Sequence, residues 1–296
     1  MSEAIDKAWL NANPLPEVPA DIDKNARGRV LVVGGAEFVP GALRLTGEAA
    51  LRAGAGKLQL ATVSASAMAL GVQVPEASML ALPADADGEI AAAAADLLLE
   101  RLDRCDALVL GPGMSPSAGT VALVSRLLDG TDEQRTIVLD AAAITASRDL
   151  AGVVARHGGR VVLTPHQGEM ASLTGATIEA IRADPAAIAK RVAGEFNAVV
   201  LLKGNESVIA TPQGDVYRSL AGSVGLATGG SGDVLAGIIG GLAARGATPL
   251  VATAWGSWAH GQAGERLAER DGPIGFLARE LLPLIPRLLQ HRLASG

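Results

Sequence analysis

Residues 227 to 237 read ATGGSGDVLAG, a glycine-rich stretch that delivers one carboxylate, Asp233, to the start of a smooth apolar run. If a helix begins near Gly232 or Asp233, its first backbone N–H groups and positive dipole end favour an anion there. The glycines then let a phosphate come close to the main chain. Asp233 would stand beside that phosphate, placed to take a proton from a substrate hydroxyl as it attacks phosphorus. The plainer reading makes Asp233 an acid in the first turn of a helix, a common stabilising device. The stretch alone leaves both readings open.

Four other loops carry residues suited to the same chemistry. In KGNES, residues 203 to 207, Lys203 offers a cation for phosphate, against the plainer reading of a solvated strand end. In LTPHQGE, His166 sits between proline and glycine, where a loop-borne imidazole points to ligand contact. Glu169 of the same segment either orients a metal or water or caps the helix that follows. Gly111 and Gly113 in LGPGM would let a substrate approach the backbone, or would serve only a tight turn, and VPGA places Gly41 and Ala42 in the loop after the first strand. His260 and Trp258 lie on a late helix whose Gly256, Gly261 and Gly264 predict close packing, and they read as packing residues. His157 and His291 belong to no visible constellation, and Trp9 and Trp255 read as packing or surface residues.

Two familiar phosphate loops are excluded. GAGK at 54 to 57 resembles the end of a P-loop, but Leu51 takes the first glycine position and Leu58 replaces the hydroxyl residue. GGAEFVPGA, after the first strand, does not keep the GxGxxG spacing of a dinucleotide fingerprint.

These loops need a frame, and the alternation of short β-rich runs with helical patterns predicts a mostly parallel sheet covered on both faces. The strand candidates are RVLVVGG, KLQLAT, SMLALP, DALVLGPG, TIVLDA, RVVLTP and AVVLLKG, mostly unbroken apolar runs. ESVIATPQGDVYRS then reads as a hairpin turning at PQGD, and three helices, starting near Asp233, Leu250 and Leu277, close the chain. In such a sheet, ligands bind beyond the carboxyl ends of the strands, where GGAEFVPGA, GPGMSPS, DAAAIT, TPHQGEM and KGNES fall. No linker composition is visible, so residues 25 to 296 read as one domain after a polar, proline-broken extension of residues 1 to 24.

Composition narrows the partners. A formal charge of -6 with only three Trp, one Tyr and three Phe argues against a nucleic-acid surface. The 49% hydrophobic content of 296 residues supplies a core. Cys105, the one cysteine, reads as an inert core thiol. Without a basic, apolar leader or a long apolar span, the expectation is a cytoplasmic protein with small-molecule partners.

Taken in order, GGAEFVPGA, LRAGAGKLQLAT, LVLGPGM, VLDA, LTPHQGE, LLKGNESVI and GLATGGSGDVLAGIIGGLAARG resemble the ADP-dependent NAD(P)H-hydrate dehydratase family over roughly residues 25 to 290. The glycine loop with its aspartate alone would indicate only the wider ribokinase superfamily; LTPHQGE beside it narrows the resemblance. It implies a ribokinase-like three-layer α/β fold, and repair of the S epimer of hydrated NADH or NADPH. ADP phosphorylates the ring hydroxyl, phosphate is eliminated, and NAD(P)H and AMP result. By resemblance Asp233 is base and substrate contact, and Ala42, Gly113 and His166 touch the hydrated dinucleotide. Lys203, Gly204, Asn205, Glu206, Ser207 and Gly232 hold the nucleotide. Mg2+ would accompany ADP with no ligand set legible in the chain, the assembly would be a homotetramer with the helix near Trp258 as one contact, and epimerisation would fall to a separate protein. Two positions depart from the family: Ala142 stands in DAAAI where relatives have a second acid, and Pro40 replaces a threonine in the first loop. The alternatives are a small-molecule kinase of the same fold, or a nucleotide-binding protein without catalysis.

Overall fold

The computed structural model describes residues 2–17, 24, 26–132 and 134–289. Ten strands form one sheet: β1 Glu3–Ala4, β2 Arg29–Val33, β3 Lys57–Val63, β4 Ala77–Leu82, β5 Ala107–Leu110, β6 Thr136–Leu139, β7 Val161–Leu163, β8 Val199–Leu202, β9 Ser207–Ala210 and β10 Val216–Ser219. Their order is β1-β10-β9-β8-β7-β6-β5-β2-β3-β4. From β4 to β8 every pairing is parallel, and only β9 runs against its neighbours, in the hairpin expected at PQGD.

Successive strand residues supply opposite faces, and both faces are dry. Val30, Val32, Val109, Val138 and Val162 pack on one side, while Leu31, Val33, Leu108, Leu110, Ile137 and Leu139 pack on the other. This accounts for the continuous apolar runs in the sequence. The predicted runs overshoot the strands at their carboxyl ends: DALVLGPG stops at Leu110 because Gly111, at φ 116, leaves the β region.

Helix Ser231–Ala244 is the central helix of the first face. Its small residues follow from its position: a Cβ at Gly237 would lie 2.1 Å from the Thr46 carbonyl oxygen, one at Gly241 2.4 Å from that of Ala50, and one at Gly240 2.2 Å from Val109 Cγ2. Glycine therefore lets this helix lie directly on helix Pro40–Arg52 and on the sheet. That contact fixes where the helix begins, and so where Asp233 stands.

Part of the N-terminal stretch packs onto the same core. β1 adds a parallel edge to β10, and helix Lys7–Ala12 buries Trp9 and Leu10. Trp9 meets Tyr217 edge to face, and Trp255 Nε1 donates to the Asn13 carbonyl at 2.8 Å. A two-residue strand and a six-residue helix are too short to show a period, so neither is legible in the residue pattern. Among the described residues no helix is long and apolar enough to cross a membrane.

Candidate active site

The chain turns outward from β2 to β3 and β4, then returns to the other side of β2 with β5. The crevice at this reversal is lined by backbone. Gly35 N donates to the Pro112 carbonyl at 2.7 Å, and a Cβ on Gly34 would lie 2.2 Å from that oxygen. Gly113, at φ 71, sits against Ala42 and the Val39 carbonyl, so the two glycine loops and the start of helix Pro40–Arg52 form one surface. Pro40 occupies the first turn of that helix, where a backbone N–H has no intrahelical partner, so its replacement of threonine removes a hydroxyl without breaking the helix.

Beside this surface lies helix Ser231–Ala244. Its N-cap is Gly230 at φ 88, a left-handed residue with no side chain to cap the first turn. Ser231 N donates to the Thr228 carbonyl at 3.3 Å, and the N–H groups of Gly232 and Asp233 are left for a ligand. A Cβ at Gly230 would strike Leu45 Cδ1 at 2.5 Å and lie 3.8 Å from Asp233 Oδ2, which puts the Asp233 carboxyl toward the helix that carries Ala42.

The loops after β6, β7 and β8 converge on the same helix end. Lys203 Nζ lies 3.0 Å from Asp140 Oδ1 and 3.7 Å from Glu169 Oε2. Thr164 Oγ1 donates to the same Asp140 oxygen at 2.6 Å. A Cβ on Gly232 would lie 3.4 Å from Lys203 Nζ, so the ammonium faces the glycine turn. Burial alone would push Lys203 down, but Asp140, Glu169 and Asp233 outweigh it and hold its ammonium above the usual lysine range. Burial, the Asp140 charge and the Glu169 charge push the Asp233 carboxyl up to about 7, with Lys203 opposing them. A carboxyl with that affinity for protons is poised for general-base work near neutrality.

His166 and Glu169 cap helix Gln167–Thr174 together. His166 Nδ1 accepts from Gly168 N at 2.9 Å and Glu169 N at 3.1 Å, and Glu169 Oε2 accepts from His166 N at 2.8 Å. Of the two sequence readings of Glu169, capping is therefore realised, with its carboxylate also near Lys203. An accepting Nδ1 fixes the His166 proton on Nε2, on a ring that is half exposed.

A cleft of about 670 Å3 opens between the KGNES loop and the glycine turn. Lys203, Gly204, Asn205, Ser207, His166 and Gly232 line it, and Ala221, Val224, Leu226 and Leu235 provide an apolar wall. Glu206 points elsewhere, to Arg218 at 2.8 Å, and borders a second hollow of about 660 Å3 on the far side of the loop. Ala42 and Gly113 lie across the helix end from the cleft, at the crevice, and Gly41 has open space around it. Most expected site residues thus gather at one helix start, in two sets on either side of Asp233.

Asp140, Thr164, Ser231 and His260 join the network without having been singled out for a role. Ser231 Oγ lies 2.9 Å from His260 Nε2, and both side chains border the cleft. A sign was present: an imidazole on a helix of otherwise small and apolar buried residues is costly unless hydrogen-bonded. Gly256, Gly261 and Gly264 are occupied within the chain by Ile239, Ala221 and Leu226, so they offer no contact to another copy, contrary to the expectation for the helix near Trp258. His157 is buried with its Nε2 2.9 Å from the Leu128 carbonyl, away from the network, and His291 lies outside the described residues. Cys105 is buried, and that burial, with Asp106, pushes its thiol up to about 11, as an inert thiol requires. Ala142 is buried directly after Ala141, whose φ of 48 turns the chain away from Asp140.

A family model described as NAD(P)H-hydrate dehydratase matches residues 30–287. The chain is 46% identical over 292 residues to the ADP-dependent (S)-NAD(P)H-hydrate dehydratase of Xanthomonas campestris pv. campestris, covering 99% of this chain and 97% of that one. It is 42% identical to the bifunctional NAD(P)H-hydrate repair enzyme Nnr of Moorella thermoacetica, covering 96% of this chain but 53% of that longer protein. Among solved structures it resembles the Bacillus subtilis ADP/ATP-dependent NAD(P)H-hydrate dehydratase co-crystallized with ATP and Mg2+, with a TM-score of 0.79, 28% identity and 97% coverage of both chains. The three-layer sheet is thus the ribokinase-like fold. With a matching model over most of its length and a near full-length relative at this identity, the chain belongs to the NAD(P)H-hydrate dehydratase family.

Proposed function

We propose that the chain uses ADP to dehydrate the S epimer of hydrated NADH or NADPH, giving NAD(P)H, AMP and phosphate. The observation that carries this reading is Asp233, a carboxyl raised to about 7 at an uncapped helix start, between the cleft at Lys203 and the crevice at Gly113 and Ala42.

The mechanism follows from leaving-group chemistry. Hydroxide leaves poorly and phosphate well. The nucleotide lies in the cleft, with its phosphates on the N–H groups at Gly232, its charge answered by Lys203, and its remaining contacts from Gly204, Asn205 and Ser207, while Glu206 stays with Arg218. The hydrated ring lies in the crevice against Ala42 and Gly113, and His166, which lines the cleft, meets the substrate only where it reaches across the helix end. Asp233 takes the proton of the ring hydroxyl as its oxygen attacks the terminal phosphorus, and the bond from that phosphorus to the AMP moiety breaks. The ring nitrogen then donates its electron pair, the carbon–oxygen bond breaks, and phosphate departs. Loss of a proton from the neighbouring carbon restores the reduced ring. Asp140 and Glu169 keep Lys203 charged and in place, and neither needs to touch substrate.

Magnesium fits this site only in company with the nucleotide. Among the described residues no three His, Cys, Asp or Glu side chains converge to hold a cation, and Asp140 and Glu169 are engaged by Lys203, Thr164 and the His166 N–H. The ion would be carried on phosphate oxygens and water, where it neutralises charge on the transferring group. In the cell the reading places the enzyme in the cytoplasm as a homotetramer, with a separate epimerase feeding it the S epimer. The bifunctional relative, about twice as long, is in keeping with a coupled second activity.

The test is incubation of hydrated NADH with ADP and magnesium, following return of the reduced nicotinamide absorbance together with AMP and phosphate. Equimolar NADH, AMP and phosphate are expected. A stable phosphorylated product, or turnover of the hydrate without AMP, would refute the proposal.

A further inference from the structure

Two polar side chains at the phosphate end of the cleft have no part in the steps above. Ser231 is the first residue of helix Ser231–Ala244 and His260 comes from helix Pro249–Asp271; both are buried, at 4% and 8% exposure, and they meet at 2.9 Å. The other buried residues of its helix are small or apolar, so an apolar residue would satisfy packing there without the desolvation cost of an imidazole. What the imidazole adds is its bond to Ser231.

Burial pushes His260 down to about 4; a hydrogen bond to the Ser231 backbone opposes this and the Lys203 charge adds to it, so the ring is neutral across the working range. A neutral imidazole has one donor and one acceptor nitrogen, and the choice matters. If Nε2 accepts, the Ser231 proton is turned toward His260 and only lone pairs face the cleft, which repels phosphate. If Nε2–H donates, the hydroxyl proton is released to an anion in the cleft. Ser231 stands two residues before Asp233 in the same first turn, so the anion it can reach is the one whose phosphorus reacts.

We propose that His260 is a positioning residue: its Nε2–H donates to Ser231 Oγ and aims the Ser231 hydroxyl proton at the terminal phosphate of a bound nucleoside diphosphate. The inference rests on the reading of this cleft as the nucleotide site. Its consequence is discrimination by phosphate count. The pair grips the diphosphate, and has nothing to grip in the monophosphate left after transfer, which favours product release.

Calorimetric titration with ADP and with AMP, on the wild type, Ser231→Ala, His260→Leu, His260→Gln and the Ser231→Ala/His260→Leu double variant, tests this. Loss of a hydrogen bond to a charged group should weaken ADP binding about tenfold or more in Ser231→Ala and in His260→Leu, with AMP binding changed less than about twofold. The double variant should be no worse than either single one, because both act in one chain of bonds. Gln, whose amide N–H can donate, should restore most of the affinity. Equal losses for ADP and AMP, additive losses, or unchanged ADP binding would overturn the proposal. Thermal unfolding identifies any His260 variant that fails to fold, and the small Ser231→Ala change then carries the comparison. A wild type that binds neither nucleotide removes the nucleotide site itself and this proposal with it, whereas normal wild-type binding with equal losses in the variants removes only the proposal.

Discussion

Replacing Asp233 by Asn separates two consequences of its raised pKa. As a base, the carboxylate is needed for proton removal, so Asp233→Asn should lower turnover by about 10²–10⁴-fold, the usual contribution of a positioned base. As a buried carboxyl it also burdens the fold. Its proton affinity is raised from 3.8 in the ordinary state to about 7 in the folded one. A group so raised contributes stability that is complete below the unfolded value and is lost as pH climbs through the folded value. Between about pH 5.5 and 7 the wild type should lose ~2 kcal/mol on this account, from ~1.5 units at ~1.4 kcal/mol each, with little further loss above neutrality. Across 296 residues the unfolding entropy is ~0.6 kcal/mol per degree, so the loss is a fall of ~3 °C in Tm. Asn lacks the charge. Between about pH 5.5 and 8 the wild type should therefore lose ~3 °C relative to the variant, beyond the shared drift from other groups; the variant is already the more stable at about pH 5.5 and matches the wild type only below the unfolded value. Paired calorimetric scans across that range, with turnover measured on the same preparations, check both halves. A variant that loses activity yet shows the wild-type pH drift would mean that Asp233 is ionised throughout, and the argument from burial and Asp140 would fail.

The neighbours of Asp233 should move its titration in opposite directions. Lys203 lowers the Asp233 pKa and Asp140 raises it, so the acid limb of kcat/KM should shift to higher pH in Lys203→Met and to lower pH in Asp140→Asn, read from pH–rate profiles. Both variants leave a buried charge without its partner and should be destabilised by ~3–5 kcal/mol, read by denaturant titration. Gly237→Ala, which drives a methyl to 2.1 Å from the Thr46 carbonyl, should cost ~2 kcal/mol or more and lower Tm by ~3 °C. Gly232→Ala meets only Lys203 Nζ, at 3.4 Å, so its Tm should stay near wild type while KM for ADP rises as the methyl obstructs phosphate.

How far the molecule was legible depended on the reach of each interaction along the chain. Strands β2, β3 and β5 to β8 announced themselves, because a strand covered on both faces must be largely apolar, and its loops fall at a predictable edge. β1 was invisible: Glu3 and Ala4 are strand only because β10 pairs with them. The helix start at Ser231 was legible from local composition, but the state of Asp233 was not. Its pKa depends on Asp140 and Lys203, 93 and 30 residues earlier in the chain, which no spacing rule connects. His260 failed for the same reason, since its partner lies 29 residues away on another helix and its own surroundings spell packing. Ala142 and Pro40 look different once placed. Pro40 suits the first turn of its helix, and Ala142 is buried behind Asp140, which itself keeps the ion pair with Lys203.

The same geometry bears on why a phosphorylating site would serve a dehydration. In the proposed reaction the phosphoryl group must arrive from one side of Asp233 and the hydroxyl from the other, and helix Ser231–Ala244 divides the two sides at its first turn. An ordinary kinase product would remain phosphorylated because an isolated alkyl phosphate has no electron pair positioned to expel it. Here the expelling pair belongs to the substrate's ring nitrogen, so elimination asks of the protein no second acid. That is consistent with a chain that has Ala142 in DAAAI, and whose titratable groups at the site are arranged around the proton transfer at Asp233. Placing an acid there as Ala142→Asp would bury another carboxylate two residues from Asp140, and by like-charge repulsion should push Asp233 higher still. The expected result is an acid limb of kcat/KM displaced to higher pH with no gain in turnover at neutral pH. A gain there would mean that elimination, and not proton removal, had been limiting, and that a second acid does take part.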